Sequence, residues 1–221
     1  KEMQDQFAVK SYRRSNAAIE NKEFDDEIVS VLLKNKKGDI DFIVDEEPLR
    51  FNKSKLLKLK PAFDVDGSIT AGNASSLSDG AAALLVSSEK YINEKNIKPT
   101  AKIIDHVSFA TEPLYFTKAP IYAIKKLLDK VNMSIADIDL FEINEAFSCV
   151  PMFAIDQLKL DNKKVNVNGG AVSLGHPIGA SGTRILVTLI NALQMKNLKY
   201  GIASLCIGGG EAVAMLIKVC D

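Results

Sequence analysis

Three short segments place polar or reactive side chains directly after apolar runs. FEINEAFSC carries Asn144 and Glu145, and NGGAVSLGHPIGASGTR carries His176 in a glycine-rich turn. SLCIGGGEA carries Cys206 just before three glycines. A thiol beside an imidazole can exchange protons near neutral pH, while nearby backbone N–H groups and a carboxamide can stabilise a developing oxyanion. A histidine in a glycine turn and a cysteine among apolar residues are also common structural features, so residue types alone leave catalysis and structure equally open.

The charge balance and the cysteine spacing narrow the class of protein. Lys plus Arg and Asp plus Glu each number 28 in 221 residues, so no broad field for nucleic acid or an acidic membrane is expected. Cys149, Cys206 and Cys220 form no CxxC pair, which argues against a disulfide framework or a zinc site and favours a reducing compartment. No apolar run approaches the length of a membrane span. The sequence therefore indicates an ordinary globular protein of one large domain or parts of two.

The first half of the chain mixes helical, extended and basic segments. Residues 1–21 are predicted to form an amphipathic helix, and Ile28–Leu33 and Asp39–Val44 two strands joined across KNKKGD. The stretch RFNKSKLLKLKPAF is strongly basic, and considered alone it fits a solvated helix face better than a binding site. The apolar run Ala81–Val86 fits a buried strand or a short helix.

In the second half, predicted strands and helices alternate, which is typical of a layered α/β fold. The predicted strands are Ala101–Phe109, Asp137–Ile143, Lys164–Asn168, Tyr200–Cys206 and Ala212–Val219, and the predicted helices are Pro120–Val131, Asn144–Leu158 and Gly179–Met195. Each reactive segment lies at or just beyond the end of a predicted strand. Ligands of α/β folds gather at strand ends, so the fold is expected to bring the three segments together.

Three blocks of the sequence resemble the C-terminal signature blocks of the thiolase family. They are NEAF, then a block of the form GGAxxxGHPxGxSG, then CxGGG, in the family's order and at similar separations. SYRRSNAAIE, KLLKLKPAF and TAGNASSLSDGAAALL also resemble thiolase segments, so the similarity covers nearly the whole chain. In its details the chain is similar to the acetyl-CoA acetyltransferase (acetoacetyl-CoA thiolase) branch, particularly the mitochondrial type.

The resemblance implies a fold and a domain arrangement. A thiolase-like fold is α/β, with two αβαβα halves that each hold a mixed five-stranded sheet, and a loop domain that covers CoA. Residues 1–97 would hold the loop domain and the end of the N-terminal half, and residues 98–221 would form the C-terminal domain. Relatives are dimers or tetramers, so a homo-oligomer is expected. The parent protein would be mitochondrial or cytoplasmic, with any targeting segment outside this chain.

The resemblance also implies an activity, the reversible Claisen condensation of two acetyl-CoA molecules to acetoacetyl-CoA and CoA. By similarity, His176 would activate a nucleophilic cysteine and hold the thioester oxygen. Cys206 would be the acid/base that removes and returns the α-proton. Asn144 would position a water that completes one oxyanion hole with His176, and the backbone N–H of Gly208 would contribute to a second.

A CoA site and an ion site follow from the same resemblance. CoA or acetyl-CoA would be a substrate, with cations meeting its phosphates, and no redox cofactor is expected. The positions implied for CoA contact are Tyr12, Arg50, Phe51, Asn52, Lys55 and Ser75. Mitochondrial-type relatives bind potassium and chloride near this loop. The positions implied for potassium, mostly through backbone oxygens, are Tyr12, Ala71, Gly72, Ala74 and Val172.

Two departures from the family pattern limit these expectations. None of the three cysteines lies in the context of the nucleophilic cysteine, which thiolases keep in the N-terminal half. That missing half would supply the nucleophile, so this chain alone is expected to have no thiolase turnover. Phe116 resembles a pocket-lining aromatic, but Thr117 stands where mitochondrial relatives have proline, which weakens any inference about branched substrates.

Alternatives to the acetyl-CoA acetyltransferase interpretation remain. Within enzymes, a degradative 3-ketoacyl-CoA thiolase with a longer-chain preference fits the same blocks. From another class, the chain could be a non-catalytic CoA-binding module or a structural partner of a separate N-terminal half. His106, inside a predicted strand, and Cys149 and Cys220 are interpreted as structural residues.

Overall fold

The computed structural model describes residues 1–220, so Asp221 of the predicted C-terminal domain lies outside the described residues. The helices are α1 Glu2–Glu20, α2 Glu46–Leu49, α3 Lys53–Leu56, α4 Glu89–Lys95, α5 Ala119–Val131, α6 Cys149–Leu158, α7 Ala171–Leu174 and α8 Ser181–Met195, with 3-10 helices at Pro113–Lys118 and Ile135–Asp137. The strands are β1 Val31–Leu33, β2 Ile40–Phe42, β3 Ala101–Ala110, β4 Leu140–Ile143, β5 Tyr200–Cys206 and β6 Glu211–Val219.

The main sheet has the order β3-β6-β5-β4 and is mixed, as predicted. Strand β6 pairs antiparallel with both β3 and β5, and β4 pairs parallel with β5. Among the described residues this sheet has four strands where five were expected, because the predicted strand Lys164–Asn168 is reduced to a single parallel bridge between Val165 and Phe141. Asn166 causes this reduction. It has a φ of 47°, which leaves the extended path, and its side chain bonds both the N–H and the C=O of Ile143 at 2.8 Å.

Helices cover both faces of this sheet. On one face α5 and α6 pack against side chains such as Phe141 and Leu216, and on the other α8 packs against Leu140 and Ile217. Adjacent residues of one strand thus point into opposite layers, as the two-residue period of a strand requires. The predicted layered α/β arrangement is confirmed, and it leaves the ends of β4 and β5 as the place where loops from several elements meet.

The segments between α1 and β3 are less regular than the sequence suggests. The β1–β2 hairpin forms across the predicted turn but is shorter than predicted, with three residues in each strand. The prediction of a buried strand or short helix at Ala81–Val86 is wrong, because this run has no regular structure and Leu85 is fully exposed. An apolar strand needs a neighbouring strand to satisfy its backbone, and no strand within residues 1–220 pairs with this run.

The NEAF segment is a loop rather than the start of a helix. Helix α6 begins only at Cys149, whereas the sequence predicted a helix from Asn144. The backbone of 144–148 is instead bound by 73–75: Ser148 N–H donates to Asn73 O at 2.9 Å and Ser75 N–H to Ala146 O at 3.1 Å. These backbone hydrogen bonds hold the loop that carries Asn144 in place. Separately, no helix within residues 1–220 is long and apolar enough to cross a membrane.

Candidate active site

Asn144 lies at the tip of β4, where its backbone N–H donates to Ser204 O of β5 at 2.9 Å. The residue is 1% exposed. Its side-chain Nδ2 lies 3.3 Å from His176 Nε2, so the structure brings together two of the predicted catalytic residues from segments 32 positions apart. The Asn144 Oδ1 atom is buried and has no hydrogen-bond partner within residues 1–220. An unpaired carboxamide oxygen beside an imidazole is the kind of group that can hold a water or a substrate atom.

His176 is held by a turn of unusual geometry. Gly175 before it has a φ of 91°, a conformation that glycine adopts without strain, and a Cβ at this position would meet Ser78. The His176 N–H donates to Ser76 O at 2.9 Å, and its ring Nδ1 lies 2.6 Å from Ser181 Oγ. Burial and the positive charge of Arg184 lower the pKa of His176. The imidazole is therefore neutral at physiological pH and able to accept a proton.

Cys206 ends β5, two residues beyond the Ser204 carbonyl that binds Asn144, and it pairs with Ala212 of β6. Burial, with a further contribution from the nearby Cys149, raises the pKa of the Cys206 thiol to about 11. The thiol is thus protonated at neutral pH, the state of a general acid rather than of a resting thiolate. Cys206 and Asn144 occupy the same end of two neighbouring strands, as the sequence predicted for this pair.

The glycines after Cys206 form a tight turn. Ile207 N–H donates to Glu211 O at 2.8 Å and Gly210 N–H to Ile207 O at 3.0 Å. Neither bond uses the N–H of Gly208, which lies on the exposed part of the turn, and no atom of residues 1–220 lies within 4 Å of a Cβ built there. The backbone of Gly208 is therefore open to approach, as an oxyanion donor must be.

The buried carboxylate of Glu145 connects several elements of the site through hydrogen bonds. Glu145 belongs to the NEAF block, and the sequence suggested no role for it. Glu145 is 1% exposed and accepts hydrogen bonds from Ser11 Oγ at 2.7 Å, Asn166 Nδ2 at 2.9 Å and Val172 N at 3.2 Å. Burial raises the pKa of Glu145, and these bonds oppose the rise. The network joins α1, the glycine-rich loop and the strand tip that carries Asn144. The sequence could not reveal it, because Ser11 and Glu145 lie 134 positions apart.

Several residues expected to contact CoA have interaction partners within the protein. The Tyr12 and Phe51 rings stack with centroids 4.8 Å apart. Arg50 Nη1 lies 3.1 Å from the carboxylate of Glu47, so this predicted phosphate ligand has an acidic neighbour. Asn52 caps α3, where its side chain accepts from Lys55 N at 3.0 Å.

Ser75, the position expected to contact the pantetheine arm, faces the NEAF loop. Its hydroxyl donates to Ala146 O at 3.0 Å. Within that loop, Phe147 makes edge contacts with Phe63 and with Phe116, the predicted pocket-lining aromatic, at centroid distances of 6.4 and 6.1 Å. No role was predicted for Phe63 from the sequence. The feature that could have singled it out is its position in the KPAF segment, which resembles a thiolase segment.

The positions expected to bind potassium partly converge. Tyr12 and Val172 pack in one cluster around Leu56, and a Cβ built at Gly72 would lie 2.8 Å from Leu56 Cγ. Ala74 forms a bridge with Phe147 at the NEAF loop. The implied ligands are mostly backbone oxygens, and the potassium ion itself stays a prediction.

An open cleft of about 410 Å³ lies beside the histidine turn. Residues 78–82 line it on one side and Pro177–Ala180 with Thr183 on the other. Asn144, His176 and Cys206 are not among its lining residues. The site described above is thus defined by side-chain contacts at the strand tips and not by this cleft.

The segment after α1 places an unusual carboxylate against α8. Glu27 accepts a hydrogen bond from Thr188 Oγ1 at 3.1 Å. Burial, together with the nearby Asp45, raises the pKa of Glu27 from 4.5 to about 7, although Thr188 and the Arg184 guanidinium oppose this. The folded state therefore binds the Glu27 proton more tightly than the unfolded state between these two values, so the free energy of unfolding falls as pH rises through them.

Glu27→Gln is expected to raise the free energy of unfolding near pH 8 by as much as roughly 3 kcal/mol, since one pKa unit corresponds to about 1.4 kcal/mol. Near pH 5 the variant and the wild-type chain should differ little. Urea unfolding at the two pH values measures this, and Glu20→Gln, at an exposed position, is the control. Equal destabilisation by Glu27→Gln at both pH values would show that the carboxyl is ionised in the folded chain.

Comparison with known proteins places the chain in a family. The family descriptions "Thiolase, N-terminal domain" and "Thiolase, C-terminal domain" match residues 1–90 and 97–219. Acetyl-CoA acetyltransferase of Yarrowia lipolytica is 50% identical over 99% of this chain, which spans 54% of that protein. The chain thus spans about half the length of the relatives it matches.

Solved structures agree with the sequence comparison. The crystal structure of Bacillus anthracis acetyl-CoA acetyltransferase matches 98% of this chain with a TM-score of 0.94 and 45% identity, over 55% of its own length. Acat5 thiolase from Ascaris suum, solved in complex with coenzyme A, matches 99% of the chain with a TM-score of 0.89 and 42% identity, over 56% of its length. The expected thiolase-like fold is confirmed, and the chain belongs to the thiolase family.

Proposed function

We propose that this chain supplies the His176, Asn144 and Cys206 part of an acetyl-CoA acetyltransferase site, which condenses two acetyl-CoA molecules and runs the reverse thiolysis. The observation that carries the proposal is the contact between Asn144 Nδ2 and His176 Nε2 at 3.3 Å, at the end of β4, which pairs with the strand that ends in Cys206. Identities of 46–50% to proteins named acetyl-CoA acetyltransferase support the acyl group.

In the thiolytic direction the resting protonation states fit the task. The nucleophilic thiol supplied by the missing half gives its proton to His176 Nε2 and attacks the 3-keto carbon of acetoacetyl-CoA. As the C–S bond forms, the bond between the 3-keto carbon and the α-carbon breaks, which leaves an acetyl group on the nucleophile and an enolate of acetyl-CoA that takes its proton from the Cys206 thiol. The thiol of a second CoA then gives its proton back to Cys206 and displaces the acetyl group as acetyl-CoA, and the released nucleophile recovers its proton from His176. In condensation the same groups act in reverse, with Cys206 as the base. Because a thioester α-proton is only weakly acidic, donors such as the Gly208 N–H contribute by stabilising the enolate or oxyanion charge.

The CoA contacts are part of the same proposal. A relative with 42% identity has been solved with coenzyme A, which supports CoA as the substrate carrier here. Lys55 and Arg50 would meet phosphate groups, Arg50 after its side chain leaves Glu47. Ser75, with Phe63 and Phe147 beside it, would contact the pantetheine arm. The proposal also includes a potassium ion near the cluster in which Tyr12 and Val172 pack around Leu56. It includes assembly of the protein into a homo-oligomer as well.

The nucleophile must come from elsewhere, because Cys149 and Cys220 are the remaining cysteines and neither lies in a nucleophile context. Cys149 is 8% exposed within α6, and burial raises its pKa, which is the opposite of what a nucleophile needs. We propose that residues beyond this chain supply the nucleophile, and that the exposed run Ala81–Val86 pairs with the same half of the molecule.

The chain alone is expected to cleave acetoacetyl-CoA no faster than buffer, since without an acyl-enzyme the reaction cannot be divided into two easier steps. Mixing it with the N-terminal half of an acetyl-CoA acetyltransferase relative should restore CoA-dependent cleavage, measured as loss of acetoacetyl-CoA absorbance. The matched control is the same half with its nucleophilic cysteine replaced by alanine. Robust turnover by the chain alone would contradict this assignment, and a complex that forms but stays inactive would favour a non-catalytic module.

A further inference from the structure

The two ring nitrogens of His176 have partners of different kinds. Nδ1 lies 2.6 Å from the hydroxyl oxygen of Ser181, and Nε2 lies 3.3 Å from the amide nitrogen of Asn144. A neutral imidazole carries one N–H and one lone pair, and the partners decide which nitrogen has the hydrogen. Because the lone-pair nitrogen is the one that can accept a proton, the tautomer decides which side of His176 is chemically active.

Ser181 determines the Nδ1 side. A serine hydroxyl has a single hydrogen, and the Ser181 oxygen lies 3.0 Å from Pro177 O, a carbonyl oxygen that can only accept. When the hydroxyl donates to this carbonyl, the Ser181 oxygen can only accept from His176, and Nδ1 is the donor. Ser181 is 1% exposed, so water does not compete for these bonds. The hydroxyl is also fixed in place, because Ser181 begins α8 and its own N–H donates to Pro177 O at 2.8 Å.

The orientation of the Asn144 amide fits the same tautomer. Its Nδ2 amide group can only donate, so the Nε2 atom that faces it must offer a lone pair. Protonation of Nε2 would place two donors opposite each other. A rotated amide would instead present Oδ1, which is buried and has no partner within residues 1–220, to Nε2. In the orientation found, with Nδ2 facing the ring, both contacts fit a hydrogen at Nδ1 and a lone pair at Nε2.

We propose that Ser181 is a positioning residue, which holds His176 in the Nδ1–H tautomer and so directs the Nε2 lone pair towards Asn144 and the strand tips. The tautomer itself is a property of this chain and does not depend on turnover. Its consequence for catalysis rests on the proposed function, because a base at Nε2 is useful only if a thiol approaches from that side. Burial and Arg184, which keep the imidazole neutral, are consistent with this role.

The chain offers a clean spectroscopic test, because it contains two histidines, His106 and His176. Long-range proton–nitrogen correlation NMR of the folded chain near pH 8 reports which ring nitrogen of each histidine is protonated. We expect a protonated Nδ1 and an unprotonated Nε2 for His176. His106, exposed on β3, is the internal reference for an unconstrained ring. A His176 signal with protonated Nε2 in the wild-type chain would overturn the proposal.

Variants then assign the cause. Ser181→Ala is expected to remove the acceptor and shift the His176 population towards protonated Nε2, while Ser181→Thr, which keeps the hydroxyl, should retain the wild-type pattern. Thr183→Ala, which removes a hydroxyl one position past Gly182, should leave the pattern unchanged. If Ser181→Ala does not give a folded spectrum, Ser181→Cys is used in its place, and an unchanged His176 pattern in the folded variant overturns the role of Ser181.

A kinetic measurement separates this inference from the proposed function. In the complex with a nucleophile-bearing half, Ser181→Ala is expected to lower kcat about 10–100-fold, by analogy with metal-binding histidines that lose the partner orienting their other ring nitrogen. KM should change little, because Ser181 touches no part of the proposed CoA path. A wild-type complex without any turnover would refute the proposed function while leaving the NMR result intact. An unchanged kcat in Ser181→Ala would refute the positioning role alone.

Discussion

Cys206→Ala is expected to lower thiolysis of acetoacetyl-CoA by about 10²–10⁴-fold in the complex of this chain with a nucleophile-bearing half, the range typical of losing a general acid. The thiol is protonated at rest because burial raises its pKa to about 11, and it lies at the end of β5 beside the strand tip that carries Asn144. Alanine cannot return a proton to the α-carbon. The measurement is kcat/KM from the loss of acetoacetyl-CoA absorbance.

Two controls show whether this effect belongs to proton transfer. Cys220→Ser changes a cysteine near the end of β6, at the edge of the described chain, and should leave kcat/KM unchanged. CoA affinity of Cys206→Ala, measured by calorimetry, should also be unchanged, because the thiol is not among the CoA contacts. If Cys206→Ala retained full activity while Cys220→Ser did not, the acid/base would have been assigned to the wrong cysteine.

Gly169→Ala is expected to destabilise the chain by about 3–5 kcal/mol, the range reached when backbone strain and overpacking coincide. Gly169 has a φ of 83°, which an L side chain rarely adopts. A Cβ there would lie 2.8 Å from Ser11 O and 2.9 Å from Ser15 N. Both are backbone atoms of α1, so the helix would have to move as a body and would take Ser11 away from Glu145. Urea unfolding of the chain measures the change.

Two further glycines separate strain from crowding. Gly38 also has a positive φ, 120°, but in the described part of the chain no atom lies within 4 Å of a Cβ built there, so Gly38→Ala measures backbone strain alone. Gly182 lies within α8, and a Cβ built there meets no atom of residues 1–220 within 4 Å. Because alanine favours a helix more than glycine does, Gly182→Ala should be neutral or stabilising by up to about 1 kcal/mol. A Gly169→Ala effect no larger than that of Gly38→Ala would show that α1 does not pack tightly on the glycine-rich loop.

Much of the fold could be predicted because its elements follow local patterns. The strands at 101–110, 200–206 and 211–219 and the helices after Pro120 and Gly179 were found with small errors at their ends, since periodicity and turn residues define them. The strand predicted at 164–168 failed because Asn166 leaves the extended path and replaces strand pairing with its own side chain. The run Ala81–Val86 failed for a different reason: burial depends on a partner that composition does not show.

The candidate site, like the fold, could be predicted only in part from the sequence. The three reactive segments were proposed from residue types near strand ends. The sheet order brings Asn144 and Cys206 to the same end of β4 and β5, and His176 contacts Asn144. Their supports were not found. Ser11 reaches Glu145 across 134 positions, and no spacing rule connects a helix near the start of the chain to a loop in its second half. The contact between Ser181 and His176 could have been suspected from the sequence, because Ser181 lies five residues after His176 at the start of a helix.

A crystal structure of this chain soaked with acetyl-CoA would most directly test whether one acyl group is shared by residues 144, 176 and 206. The thioester oxygen should lie within hydrogen-bond distance of His176 Nε2 or a water on Asn144, with the acetyl methyl against Cys206 Sγ. An acetyl group bound away from either side chain, with CoA well ordered, would contradict the assignment of a thiolase active site to these strand tips.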